Sequence, residues 1–102
     1  MRPETQRWFL QAKEELEAAK VCFNGQKWFA TAFWLQQSTE KALKALFLTI
    51  KKESAGTTHS LTFLGREVGV PKEFEIFLRD LTKEYYLSRY KKLNKDLISV
   101  QK

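Results

Sequence analysis

The stretch from Trp28 to about Lys52 constrains the fold more than any other part of the chain. Its periodicity reads as a single helix, long enough for roughly six turns or more. On a helical wheel Phe29, Ala32, Phe33, Leu43, Phe47 and Ile50 share one arc. Gln36 and Glu40 fall inside that same arc, and Lys44 lies at its edge. A second line, read as facing outward, holds Trp34, Lys41 and Leu48. A helix that is apolar on more than one side is either central in a bundle or covered by a partner. Trp34 and Leu48 are therefore the candidate dimer interface.

The polar residues inside the apolar arc are the first candidate site. Gln36, Glu40 and Lys44 follow one another at intervals of four, so their side chains line up, and Glu40 before Lys44 is the favourable order for an ion pair. A solvent-edge pair accounts for Lys44 but not for Gln36 and Glu40, which have Phe and Leu on either side. A carboxylate in such a place must be paired, hydrogen-bonded or neutral. The stripe is thus a polar network, a subunit contact or a ligand groove, unless a bend in the helix exposes it.

The remaining elements follow from similar patterns. Residues 4–23 read as a first helix with Phe9, Ala12, Leu16, Ala19 and Phe23 on one side and Glu14, Glu15 and Glu17 mostly off it. Asn24-Gly25 supplies the stop, through the left-handed conformation that glycine tolerates. Residues 53–59 form a loop. Ser60 caps a short third helix bearing Leu61, Leu64 and Val68. Gly69-Val70-Pro71 turns the chain into a fourth helix, with Pro71 in its first turn and Phe74, Phe77, Leu78, Leu81 and Tyr85 as its buried stripe. The tail, Lys91 to Lys102, has room for one more short helix around Leu93, Leu97 and Val100. At 102 residues with four glycines and two prolines, the expectation is one domain, residues 1–102, folded as an all-α antiparallel up-and-down bundle of four to five helices.

Composition removes several functional classes. A single cysteine, Cys22, and a single histidine, His59, cannot build a metal site of the usual kind, so no metal and no cofactor are expected. Cys22 reads as a small packed residue. No run approaches about 18 apolar residues, and the N-terminus lacks the layout of a signal peptide, so a cytoplasmic protein is expected. The formal charge is +6, and residues 79–102 hold seven basic groups against three acidic ones. Such an end attracts phosphates, nucleic acid or an acidic partner, or is simply a solvated face.

Two further features bear on function. His59 stands in a Thr/Ser-rich loop, where a histidine serves as a capping or hydrogen-bonding residue; acid–base chemistry would need an activating partner such as Glu40, Arg89 or a tyrosine. Tyr86-x-x-Arg89-Tyr90 sets two aromatic rings and a guanidinium on one side of the fourth helix. Bases stack on tyrosine and phosphates pair with arginine, although packing at a helix end explains the same pattern.

Four motifs stand in order along the chain: Trp8…Ala12-Lys-x-x-Leu16-x-x-Ala19, Phe29-Ala30-x-Ala32-Phe33-x-x-Gln36-Gln37-x-x-Glu40-Lys41-Ala42-Leu43-Lys44-Ala45, His59-Ser60-Leu61-x-x-Leu64 and Tyr86-x-x-Arg89-Tyr90. In order and spacing they together resemble the HEPN domain family. The likeness covers about residues 5–90, and the Gln-Gln-x-x-Glu-Lys-Ala-Leu-Lys-Ala block is its most specific part. It implies a bundle of the nucleotidyltransferase substrate-binding type, usually a homodimer, from a bacterium or archaeon. Minimal members are often paired with a small nucleotidyltransferase in modules that behave as toxin and antitoxin. Some branches are metal-independent ribonucleases that use an Arg, four to six variable residues and a His. Here positions 52–54, where that Arg would stand, hold Lys, Glu and Ser, and Lys52 lacks the planar fork of arginine.

The leading expectation is thus a nonenzymatic, dimeric HEPN protein that binds a nucleotide, acts as partner of a nucleotidyltransferase, or both. Gln36, Glu40, Lys44, His59, Tyr86, Arg89 and Tyr90 would line the ligand groove. One alternative is a degenerate ribonuclease that uses His59 and Arg89 and acts on RNA without metal. The other is a purely structural dimerisation module, in which the polar stripe only sets helix register.

Overall fold

The computed structural model describes residues 2–84. Within them the chain forms α1 (Pro3–Asn24), α2 (Trp28–Lys51) and α3 (Leu61–Val68), a 3₁₀ turn (Lys72–Phe74) and a further helical segment over residues 75–84, here α4. No strand occurs among the described residues, and the fold is an all-helical bundle. Tyr85 and the tail helix expected around Leu93, Leu97 and Val100 lie outside the described residues.

Helices α1 and α2 form an antiparallel hairpin, and small residues make its seam. Thr5, Ala12 and Ala19 recur every seven positions along α1, and Thr31, Ser38 and Ala45 do the same along α2. All six are no more than 8% exposed. A seven-residue repeat holds one line of side chains against a partner helix. Because these side chains are short, the two backbones approach closely. Ser38 Oγ consequently donates across the seam to the main-chain carbonyl of Ala12, at 2.7 Å.

This seam corrects the reading of both helices. The line Trp34, Lys41 and Leu48 is not simply outward: Lys41 and Leu48 stand beside Ser38 and Ala45, and Lys41 pairs with Glu15 of α1. Leu48 is only 4% exposed and lines a cleft with Thr5, while Trp34 is half-buried and stands edge-on to Phe33, ring centroids 5.0 Å apart. In α1 the inward face is centred on Thr5, Ala12 and Ala19, so the larger Leu16 (39% exposed) and Phe23 (58%) are displaced to its flank. Phe29 and Ile50, expected in the core arc of α2, are likewise exposed near the two ends of that helix.

A second core lies on the other side of α2, where Leu43 and Phe47 pack with Leu61 and Leu64 of α3 and Leu78 and Leu81 of α4. Gly65 lets α4 come close to α3, since a Cβ there would stand 2.6 Å from Leu78 Cδ1. Thr82 Oγ1 accepts a hydrogen bond from the Leu61 N–H at 3.0 Å, tying α4 to the start of α3. Phe74 and Phe77 are exposed rather than part of the stripe. Phe74 belongs to the 3₁₀ turn, whose pitch differs from that of α4, and Phe77 stands one residue off the Leu78–Leu81 face.

The turns follow expectation with one change. Ser60 caps α3 by accepting from the Phe63 N–H, and Gly69 closes it in the left-handed conformation at φ +82°. After α1, however, Gly25 keeps φ at −84° and Gln26 takes the positive value, +59°. The Lys27 N–H reaches back to the Cys22 carbonyl and the Gln26 N–H to that of Phe23. This is the paired bonding that puts the left-handed residue one place after Gly25.

A seam made of small residues has no space for larger ones. Ala45, fully buried, tests this: Ala45→Leu should lower the unfolding free energy by about 1–3 kcal/mol in chemical denaturation. Lys13→Leu on the exposed side of α1 should change it by no more than about 0.5 kcal/mol.

Candidate functional site

The polar stripe on α2 is buried. Gln36 is 0%, Glu40 5% and Lys44 8% exposed, so the helix does not bend the stripe into solvent. Burial on this scale requires partners for every charge, and the fold supplies them. Glu40 Oε1 accepts from Gln36 Nε2 at 3.2 Å and lies 2.9 Å from His59 Nδ1. Glu40 Oε2 lies 3.3 Å from the Lys44 ammonium, one helical turn on. Lys44 in turn sits over the Trp8 ring of α1, 5.9 Å from its centroid, a cation–π contact that shields the ammonium from water.

Two short devices bring His59 to this point. Lys52 ends α2 in the left-handed conformation, φ +62°, and the chain doubles back through residues 53–59. At the far end the Ser60 N–H donates to Thr58 Oγ1 and the Ser60 side chain caps α3. His59 is thus held beside a helix cap, opposite the middle of α2. Its side chain is 35% exposed, against 7% for that of Glu40. The imidazole forms the rim of the cluster and the carboxylate its floor.

The network extends further than the sequence pattern suggested. Lys41 Nζ is 2.7 Å from Glu15 Oε1 of α1 and donates to Gln37 Oε1 at 3.2 Å. Gln37 Nε2 donates to Gln36 Oε1 at 2.7 Å, and Gln11 Nε2 donates to Glu15 Oε1 at 3.3 Å. A continuous chain of polar contacts therefore runs from α1 through α2 to the loop. Glu15, expected off the inward face, is only 8% exposed. It shares the seven-residue frame of Thr5, Ala12 and Ala19, as Lys41 shares that of Thr31, Ser38 and Ala45. Opposite charges at matching places in two such frames are the signal that would have paired them.

Of the expected ligand-groove residues, Gln36, Glu40, Lys44 and His59 come together. Tyr86, Arg89 and Tyr90 lie outside the described residues. Of the expected dimer-interface pair, Leu48 is enclosed within the hairpin. Among the described residues no group of three His, Cys, Asp or Glu side chains could hold a metal ion, and no helix is long and apolar enough to cross a membrane.

The family model of the HEPN domain matches residues 5–101. With nearly the whole chain covered, the protein belongs to the HEPN domain family. No curated protein and no solved structure gives a significant match.

Proposed function

We propose that this chain is a nonenzymatic HEPN protein that binds a nucleotide at the rim formed by His59. Glu40 and Lys44 lie beneath it, and Tyr86, Arg89 and Tyr90 supply the aromatic and phosphate contacts. Membership of the HEPN family, which is of a nucleotide-binding or ribonuclease type, supports a nucleotide ligand, and the basic excess of residues 79–102 suits one that bears phosphate. The observation that carries the reading is the Glu40–His59 contact. A buried carboxylate holds a partly exposed imidazole in one orientation, as a binding site requires of its contact residues. The protein acts as a homodimer and as the partner of a small nucleotidyltransferase, in a module of the toxin–antitoxin kind. Its dimer face is the exposed apolar side of the hairpin at Leu16 and Phe23, beside a groove of about 390 Å³; it takes the place of the buried Leu48.

Calorimetric titration with a panel of nucleotides, with and without the nucleotidyltransferase, tests this reading. Binding should be measurable for at least one nucleotide and weaken about tenfold or more in His59→Ala, the loss of a charge-assisted hydrogen bond. Heat with none of them, in either setting, contradicts it.

The same Glu40–His59 geometry favours a second reading, since a carboxylate that orients a histidine is also a feature of acid–base sites. A metal-independent ribonuclease using His59 and Arg89 would cut a mixed RNA pool in the presence of a chelator, and His59→Ala would abolish cutting. An RNA pool left intact, or cut equally well by the variant, removes this alternative.

A further inference from the structure

The buried hydroxyls of the α1–α2 seam are bonded within the protein, with one exception. Thr31 Oγ1 donates to the Lys27 carbonyl at 2.8 Å, and Ser38 Oγ to that of Ala12 at 2.7 Å. The charged and amide side chains buried among the described residues, Glu15, Gln36, Glu40 and Lys44, are bonded or paired as well. Thr5 is buried as deeply, at 1% exposed, yet among the described residues its hydroxyl has no partner. Such a group is unfavourable in a protein interior and rare there. Alanine fills the equivalent places of the same frame, at Ala12 and Ala19, and would avoid it.

Thr5 lines a cleft of about 300 Å³ with Arg2, Leu48, Thr49 and Lys52, where α1 begins beside the end of α2. Two of these side chains are cationic and none is acidic. Lys41, Lys44 and Lys51 each have a carboxylate, whereas among the described residues Arg2 and Lys52 have none. Glu4, the acidic residue of the first turn, lines a different recess with Arg7, Trp8 and Gln11. No side chain caps the start of α1, so its first N–H groups and their partial positive charge add to the two cations. Thr49 Oγ1 already donates to the Ala45 carbonyl, which leaves Thr5 as the hydroxyl with a proton to give. Lys52 extends from a fixed backbone, since its N–H donates to the Leu48 carbonyl as it closes α2.

We propose that this cleft is a second binding site, and that it takes a phosphate group. The Thr5 hydroxyl donates to one phosphate oxygen, and Arg2 and Lys52 supply the opposing charge. A phosphate has three strong acceptor oxygens, enough to meet a hydroxyl, a guanidinium and an ammonium together. Lys52 stands twelve residues beyond Glu40, about 18 Å along the helix axis, so the cleft is separate from the His59 rim. The proposal therefore does not depend on the nucleotide reading of that rim.

Inorganic phosphate is titrated into the full chain at low ionic strength, and the backbone amide nitrogen–proton shifts are followed. Saturable shifts should centre on residues 4–6 and 49–52; shifts at residues 36–44 and 59 report the rim instead. Thr5→Val keeps the shape of the side chain and removes the hydroxyl, and should weaken phosphate binding about tenfold. Lys52→Asn removes the charge with a residue that also tolerates the left-handed conformation, and should weaken it by a similar factor. Being exposed, it keeps the test open if Thr5→Val does not fold. Lys13→Gln, an equal loss of charge on the exposed side of α1, should change the affinity by less than about twofold. Adenosine 5′-monophosphate distinguishes the source of the group. Tighter binding than inorganic phosphate at these residues makes the ligand a phosphomonoester, and weaker binding makes it the free anion; both agree with the proposal. Adenosine should leave these amides unmoved. The proposal is overturned by the absence of a saturable shift at these residues. Unchanged affinity in folded Thr5→Val, or losses equal in Lys13→Gln and Lys52→Asn, overturns it as well.

Discussion

The rest of the structure depends on the burial of the Glu40 carboxylate in the middle of α2. An ionised group there costs several kcal/mol unless its oxygens are met, and each partner that meets them fixes a different part of the molecule. Gln36 and Lys44 lie one turn before and one turn after it, so α2 must be regular at this point. His59 can reach it only if α2 stops near Lys51 and the loop returns, which sets the start of α3. Lys44 also needs Trp8, and Gln36 leads through Gln37 and Lys41 to Glu15, so α1 must lie against α2 in one register. Buried polar groups do not always secure specificity. Here they join α1, α2 and the loop before α3 through one set of contacts.

The seam between α1 and α2 makes this arrangement possible. Thr5, Ala12 and Ala19 against Thr31, Ser38 and Ala45 bring the helices close enough for Ser38 to bond the Ala12 backbone. That proximity leaves Lys41 and Glu15 little room except toward each other. The second core, Leu43 and Phe47 with the leucines of α3 and α4, then closes over the opposite side of α2. Glu40 lies on α2 between the two interfaces and is only 5% exposed there.

Much of this could be read from the chain. The extent of α2, the Ser60 cap and the misplaced polarity of Gln36, Glu40 and Lys44 all follow from spacing. Proposing Glu40 as a partner for His59 needed only the chemistry of the two groups. The seam is hard to read from the chain for a physical reason. Large apolar residues dominate a helical wheel, whereas close packing is made by small ones, so the wheel turns Phe23 inward and Leu48 outward. The Glu15–Lys41 pair is hidden with it, because two charges on a tight interface have the spacing of solvated residues outside the seven-residue frame. Helical spacing puts Phe74 and Phe77 in one stripe with Leu78 and Leu81, but it presumes an unbroken helix, and the 3₁₀ turn at Lys72–Phe74 shifts the phase of the segment that follows. The nucleotide reading draws on Tyr86, Arg89 and Tyr90 by sequence alone, and on Gln36, Glu40, Lys44 and His59 by both sequence and structure.

The central claim is that Glu40 and His59 act as one unit, with the loop held to α2 by their contact. A double-mutant cycle measures this most directly, using Glu40→Gln, which keeps the shape of the side chain, and His59→Ala, which leaves Gln36 and Lys44 on the carboxylate. Chemical denaturation of the four proteins should give a coupling of about 1–2 kcal/mol between the two positions. Effects that add to within about 0.3 kcal/mol would show that the contact holds nothing in place, and would contradict the account.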